Sequence, residues 1–315
     1  MIFNNKSQIR IVYMGTPLLS AKVEEKLIEN GYQIIALITN EDRPIGRKKE
    51  LMPTPCKQVA LKHNIKVYQP HKINEDYSFL VDLDFDLLLT LAYGQIVPKA
   101  VLDLPKYGAL NLHGSILPKY RGAAPIQRAI MDGETKTGIT LMQMVEKMDA
   151  GDIFAKKEIA IEESDNYSSL CDKLSTLAFE VADENLLPYV NGLLKGEKQD
   201  ESLVTFANKI KSEDEHIPLS KLNAKEFCNY VRALSLTPGA YLLLDKMKFK
   251  IYSCQYFSSE IKKKPGSIIV NKKDVCLCLK DGIVKLNKVQ LQGKKEMDAY
   301  SFANGYRDLS LKVLS

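Results

Sequence analysis

Residues 84–94 read "DFDLLLTLAYG". From Leu87 on the run is almost wholly apolar, as expected of a strand in a parallel sheet with both faces covered. The flanking sequence has the matching rhythm. Upstream, "IRIVYMGTP" (9–17) reads as a buried strand entering a Gly-Pro turn, and "LLSAKVEEKLIENG" (18–31) as a helix stopped at Gly31. "YQIIALITN" (32–40), "PCKQVALKHN" (55–64) and "IKVYQP" (65–70) continue as strand, helix and short strand. Downstream, "YGALNLHGS" (107–115) is a strand and "AAPIQRAIMDG" (123–133) a helix. This βαβα alternation predicts an α/β, Rossmann-like, open and mostly parallel sheet.

The later sequence changes character. "TGITLMQMVEKMDAGDIFAKKEIAI" (137–161) reads as two strands, and a long helix is expected from about Tyr167 to Leu194. "KGEKQDESL" (195–203) is polar, contains glycine and shows no apolar periodicity. Beyond it, a helix near "NAKEFCNYVRAL" (223–234) precedes short alternating strands with Gly turns, which suggest a small antiparallel barrel. The expected division is a domain over 1–195, a linker over 196–208 and a second domain over 209–315.

The chain has 315 residues, of which 45% are hydrophobic and 26% charged, ordinary values for a globular protein. The net charge of +5 is unevenly spread. Residues 209–315 carry 20 Lys and Arg against 11 Asp and Glu, a local +9, while residues 1–208 carry 24 against 28. A polyanionic partner for the distal third and a generally lysine-rich surface both fit that asymmetry. No secretory signal pattern opens the chain, and no stretch approaches the roughly 20 apolar residues that cross a bilayer. Six scattered cysteines and four distant histidines give no zinc spacing. A cytoplasmic protein with reduced thiols, no membrane association and no metal site is expected. The first strand-helix turn, "MGTPLLS", lacks G-x-G-x-x-G, and "ITN" ends the second strand without an acidic residue, which excludes dinucleotide binding of the Rossmann kind. No P-loop pattern is present either.

Chemistry concentrates in "NLHGSILPKYRGAAP" (111–125). Residues two apart on a strand share a face, so Asn111 and His113 point the same way at the carboxyl end of a strand. "MDAGD" (148–152) places Asp149 and Asp152 in a loop after a further strand, expected at that same edge of the sheet. An amide, an imidazole and a carboxylate can divide the work of acyl transfer: oxyanion stabilisation and proton movement. Each residue also has a structural reading, His113 as a hydrogen-bonded core histidine and Asn111 as a turn cap. Lys119 and Arg121 fit either an anchor for anionic groups or a solvated cationic turn.

"NLHGSILPKYRGAAPIQ" together with "MDAGD" resembles the signature of the 10-formyltetrahydrofolate-dependent formyltransferases. "VYMGTP" (12–17), "DRPIGRKKELMPTPCK" (42–57), "AYGQIVP" (92–98), "RALSLTPGAYL" (232–242) and "LQGKKEMDAYSFANG" (291–305) extend the resemblance over nearly the whole chain. They match the branch of the family that formylates methionine carried on initiator tRNA. The resemblance implies 10-formyltetrahydrofolate as formyl donor, initiator methionyl-tRNA as acceptor, and an OB-like, tRNA-binding C-terminal barrel. It also implies a catalytic trio of Asn111, His113 and Asp149. By the same resemblance Ser115, Ile116, Leu117 and Pro118 form a folate-binding corner, and Ala92, Tyr93, Gly94 and Gln95 line the pterin pocket. The loop bearing Arg43, Arg47, Lys48 and Lys49 would contact the tRNA acceptor end. An alternative acceptor within the family is an amino sugar nucleotide. A monomer is expected, because no apolar surface stripe is evident.

Three departures from the family pattern stand out. Glu41 precedes Asp42 where proline is usual, Lys48 replaces a common glycine, and Thr237 sits in "SLTPGA" where an aromatic is frequent. The chain has no tryptophan. Sixteen residues separate Asn40 from Lys57, where two to six are usual in an α/β unit, and Pro44 and Gly46 interrupt any helix. A mobile cationic loop is expected there.

Overall fold

The computed structural model describes residues 2–45, 50–257, 263–271 and 273–315. The chain divides into two compact units. The first contains Met1–Pro125, Lys136–Ala160 and Cys171–Asn208, and the second contains Ile126–Thr135, Ile161–Leu170 and Lys209–Ser315.

In the first unit the strands are β1 (Arg10–Gly15), β2 (Gln33–Ile38), β3 (Arg43–Ile45), β4 (Glu50–Met52), β5 (Lys66–Tyr68), β6 (Leu87–Leu91), β7 (Ala109–His113), β8 (Lys136–Gln143) and β9 (Ile153–Ala160). Its helices are α1 (Leu18–Glu29), α2 (Pro55–Lys62), α3 (Ser78–Val81), α4 (Lys99–Leu102) and most of α6 (Tyr167–Val190), while α5 (Pro125–Met131) belongs, apart from Pro125, to the second unit. Among the described residues seven of these strands form one sheet, in the order β5-β2-β1-β6-β7-β8-β9. β5, β2, β1, β6 and β7 are parallel, while β8 and β9 are added antiparallel. Every residue of β6 is buried, which is why that strand carries no polar alternation. Strand order reverses at β1 and β6, so the crevice at their carboxyl ends is the switch point where open α/β sheets place ligands.

β3 and β4 stand apart as a two-stranded antiparallel hairpin. They frame the cationic loop expected from the sequence, and the pairing of Arg43 with Met52 and Pro44 with Leu51 is a feature its Pro and Gly content did not announce. Arg47, Lys48 and Lys49 lie outside the described residues. The base of the loop is tied by Lys57 Nζ, which donates to Asp42 Oδ2 and Gln69 Oε1, both at 2.7 Å. Gln69 Nε2 in turn donates to Asp42 Oδ1 at 2.7 Å, and the hydrogen bonds from Lys57 and Gln69 hold the Asp42 carboxyl below its ordinary range.

The second unit contains α7 (Ala224–Leu234), β10 (Ala240–Leu244), β11 (Met247–Phe257), β12 (Ile268–Val270), β13 (Val275–Cys278), β14 (Ile283–Leu291), β15 (Met297–Asp298) and α8 (Ala299–Gly305). The order β10-β11-β14-β13-β12 is antiparallel throughout, and β15 pairs with β14. α7 starts on a reciprocal cap in which Asn223 and Glu226 each accept the other's backbone N–H. Its Phe227, Val231 and Leu234 lie in one core with Leu242, Phe249 and Leu277 of the strands. Residues 312–315 bridge the sheet's two edges. Leu243 N–H donates to Ser315 O at 2.6 Å, and Leu314 N–H to Gly266 O at 2.8 Å. The sequence reading does not identify this closing segment as a strand, because it is short and follows a 3-10 turn at Leu309–Leu311. Among the described residues no helix is long and apolar enough to cross a membrane.

Candidate active site

At the carboxyl end of β6 the chain turns through Ala92 (φ +51°) and Gly94 (φ +94°). Two side chains from the neighbouring strand ends hold the turn by one carbonyl. Thr16 Oγ1 and Asn40 Nδ2 donate to Tyr93 O at 2.9 and 2.7 Å. Gln95 completes the frame by donating to Asn40 Oδ1 (2.9 Å) and accepting from Ile73 N–H (2.9 Å). Ala92 and Gly94 are exposed and Tyr93 is buried, so the turn offers its backbone and small residues outward. Thr16 and Asn40 escape the sequence reading, because a lone Thr or Asn after a strand is ordinary turn chemistry.

Asn111 and His113 stand on one face of β7. His113 is buried. Its Nε2 lies 2.8 Å from Tyr120 O. A carbonyl only accepts, so this contact places a proton on Nε2. Nδ1 then faces Asp149 Oδ1 at 3.6 Å, an ion-pair distance and too long for a hydrogen bond. The other Asp149 oxygen, Oδ2, accepts from Gly122 N–H at 2.7 Å. The Asn111 side chain makes no hydrogen bond to a described residue, which leaves its amide free for a ligand. Thr90, beside Asn111 across the β6–β7 register, is buried with its hydroxyl unpartnered among the described residues. Thr90 is the single polar residue of β6, and that interruption of an apolar run is the signal by which sequence could have found it.

Asp149 reaches this place by a route the sequence does not reveal. The sequence reading expects its loop to leave the sheet at the carboxyl end of β7. The loop leaves from the opposite end, because β8 runs antiparallel to β7, and Met144 N–H donates to Ala109 O at 2.8 Å. The loop therefore returns along β7 to set Asp149 beside His113. A Cβ on Gly151 would stand 2.0 Å from Gln143 O, so this return fits only glycine at that point.

The corner at 115–118 is internally braced. Ser115 Oγ donates to Lys119 O (2.7 Å), Thr140 Oγ1 donates to Ser115 O (2.7 Å), and Leu117 N–H donates to Thr140 Oγ1 (3.2 Å). Ser115 and Leu117 are buried, Leu117 against Met142 and Ile153. Ile116 and Pro118 are half-buried and face outward more than their neighbours. The next residues resolve the ambiguity of the basic turn. Lys119 is exposed, but Arg121 is only 1% exposed and so belongs to no solvated cationic turn. Its guanidinium donates to Gln199 Oε1 (3.0 and 2.9 Å) and Glu201 Oε1 (2.8 Å). The segment expected as a linker, 196–208, supplies both partners.

An unpaired amide beside a tautomer-fixed imidazole and a carboxylate with one free oxygen can bind a developing oxyanion and accept a proton. Comparison with known proteins agrees with that chemistry. The family described as "Formyl transferase" matches residues 8–185, and "Formyl transferase, C-terminal domain" matches residues 209–307. Methionyl-tRNA formyltransferase of Mesoplasma florum is 41% identical over 307 residues, covering 96% of this chain and 98% of the relative. The protein of that name from Staphylococcus aureus is 42% identical over 304 residues, 95% of this chain and 97% of its own. Among solved structures, an N-formyltransferase from Helicobacter canadensis in complex with folinic acid and dTDP-3-aminofucose superposes with a TM-score of 0.67 at 19% identity, covering 88% of this chain and 98% of that one.

Proposed function

The chain belongs to the formyl transferase family, and from that premise we propose that it formylates the α-amino group of methionine on charged initiator tRNA. The product, formylmethionyl-tRNA, serves translation initiation. The observation that carries this reading is the 41–43% identity to methionyl-tRNA formyltransferases over 94–96% of the chain. The sugar formyltransferase structure is far more distant in sequence and supports the shared fold alone.

The formyl donor is a reduced folate, which we take to be 10-formyltetrahydrofolate. The donor brings an electrophilic formyl carbon to the site. The protein leaves polar groups unsatisfied where such a ligand would lie: the Asn111 amide is unpaired, and the Thr90 hydroxyl next to it is buried without a partner among the described residues. Donors left without a protein partner fit a site built around a hydrogen-bonding ligand. The braced 115–118 corner and the 92–95 turn would hold the folate between them.

Asn111 donates a hydrogen bond to the formyl oxygen as it gains charge under attack by the amine. A preformed donor of this kind is worth about 3 kcal/mol or more in water-poor sites. His113 keeps Nε2–H on Tyr120 O, so proton exchange with the reaction passes through Nδ1, the nitrogen that faces Asp149. Asp149 Oδ1, the uncommitted oxygen, takes up the proton released from the attacking amine, directly or through Nδ1; as the tetrahedral adduct collapses and its bond to N10 of the folate breaks, that proton passes to N10 and tetrahydrofolate leaves. Residues 1–195 would do this chemistry, with 196–208 as connecting segment and 209–315 binding tRNA. The hairpin with Arg43, together with Arg47, Lys48 and Lys49, would contact the acceptor end. The enzyme is proposed to act as a cytoplasmic monomer.

The test is transfer of labelled formyl from 10-formyltetrahydrofolate to charged initiator tRNA, with charged elongator methionyl-tRNA and a dTDP-amino sugar as competitors. Label is expected on the initiator tRNA. Label on the amino sugar in its place would overturn the assignment.

A further inference from the structure

We propose that Gln199, in the segment after the sheet domain, is a positioning residue that sets the Asp149 loop for formyl transfer. The side-chain amide of Gln199 has every hydrogen-bonding group in use. Nε2 donates to Asp149 O and to Gly151 O, both at 2.8 Å. Oε1 accepts from Arg121 Nε and Nη2 at 3.0 and 2.9 Å. A Gln amide offers two donors and two acceptor positions, so the complement is full.

These contacts close a ring. From Gln199 the path runs to the Arg121 guanidinium, along the backbone to Gly122, from Gly122 N–H to Asp149 Oδ2, and from Asp149 O back to Gln199. The strap itself is pinned beside the ring. Arg121 N–H donates to Thr205 O at 2.9 Å, and Ala207 N–H donates to Arg121 O at 2.7 Å. The approach is so close that a Cβ on Gly122, whose φ is +124°, would stand 2.7 Å from Ala207 O. Only glycine can hold the N–H that anchors Asp149 at this point.

Asp149 needs that support. Its φ of +51° lies in the left-handed region, which Asp adopts more readily than most residues but less freely than glycine, so contacts around the loop help to keep it there. Gln199 holds the loop by two carbonyls, one at Asp149 and one two residues on, so Asp149 is clamped on its own carbonyl. Oδ2 is clamped by Gly122, and what remains free is Oδ1, facing His113. Misplacement of a reacting group by about 1 Å can lower a rate 10²-fold, so a clamp on this loop bears directly on kcat. Gln199 acts through Asp149 and touches no reacting atom.

The inference rests on the formyl-transfer reading, and the test separates the two. Gln199→Glu, Gln199→Met and Asp200→Ala are compared with wild type by kcat, by KM for 10-formyltetrahydrofolate and charged initiator tRNA, and by melting temperature. Gln199→Glu keeps an acceptor for Arg121 but loses both donors to the loop. Both Gln199 variants should lose about 10- to 100-fold in kcat while both KM values stay within about twofold. Asp200→Ala alters the next residue of the same segment, whose exposed side chain accepts from Ser202 and not from the loop, and its kcat should equal that of wild type. A folded Gln199→Glu enzyme with wild-type kcat, a rise in KM at unchanged kcat, or an equal loss in Asp200→Ala would each overturn the positioning role. Absence of formyl transfer in the wild type would overturn the functional reading itself.

Discussion

His113 Nε2 stands 2.8 Å from the carbonyl oxygen of Tyr120, and this contact decides how His113 meets Asp149. It commits one ring nitrogen to the backbone and leaves Nδ1, 3.6 Å from Asp149 Oδ1, as the nitrogen that faces the carboxylate. The backbone of the 119–121 turn therefore chooses the tautomer that His113 presents to Asp149.

Asp149→Asn should lower kcat by about 10²–10⁴-fold, the usual worth of a positioned general base. The fold should survive. Asn tolerates a left-handed φ, and its amide oxygen can still accept from Gly122 N–H. Steady-state kinetics with circular dichroism on one preparation checks both. A folded variant keeping more than about a tenth of wild-type kcat would remove the proton-handling role from Asp149.

Asn111→Ala should reduce kcat by about 10²–10³-fold with a much smaller change in KM for the folate. The oxyanion exists mainly in the transition state, so the lost hydrogen bond is lost mainly there. If folate KM rises while kcat holds, Asn111 binds the ground state instead.

Arg43→Ala should impair formylation of charged initiator tRNA by about tenfold or more, roughly 1.4 kcal/mol. Arg43 is exposed on β3 of the hairpin and takes no part in the hydrogen bonds of the neighbouring Asp42–Lys57–Gln69 base. Hydrolysis of the formyl-folate without tRNA should be nearly unchanged. Parallel loss of both activities would assign the hairpin to the folate site.

tRNA affinity should fall steeply with salt, since residues 209–315 carry a net +9. Lys263, Lys264, Lys294 and Lys295 are exposed and are the candidate phosphate contacts, while Lys262 lies outside the described residues. Lys294→Ala should reduce the slope of log affinity against log salt by roughly 0.7–0.9. Filter binding across a salt series measures it, and a salt-independent affinity speaks against phosphate recognition.

Glu24 on α1 makes stability depend on pH. Burial pushes its carboxyl up to about 8, and the Cys56 thiol only partly opposes this. An unfolded Glu ionises near 4.5. Between those values the folded state holds the proton and the unfolded state has lost it. Stability therefore falls as pH rises through this window, by at most about 1.4 kcal/mol per pH unit. Glu24→Gln should flatten the profile and be the more stable protein at pH 8. Urea unfolding at pH 5 and pH 8 reads this directly, and parallel profiles for the two proteins would contradict it.

Much of this molecule is legible in one dimension. The all-apolar β6, the strand-helix alternation around it and the later short strands each follow from hydrophobic period, which local chain geometry imposes on any strand or helix. Asn111 and His113 share a face for the same reason, since residues two apart on a strand must. What needed the third dimension is every relation set by strand direction and by distant chain. Periodicity does not report whether β8 runs parallel or antiparallel to β7, so the return of the Asp149 loop was invisible. Nor does a polar stretch such as 196–208 reveal that Gln199 and Glu201 reach back to Arg121. A buried cation must find partners wherever the fold supplies them, and that depends on which backbone passes within hydrogen-bond reach, not on spacing along the chain.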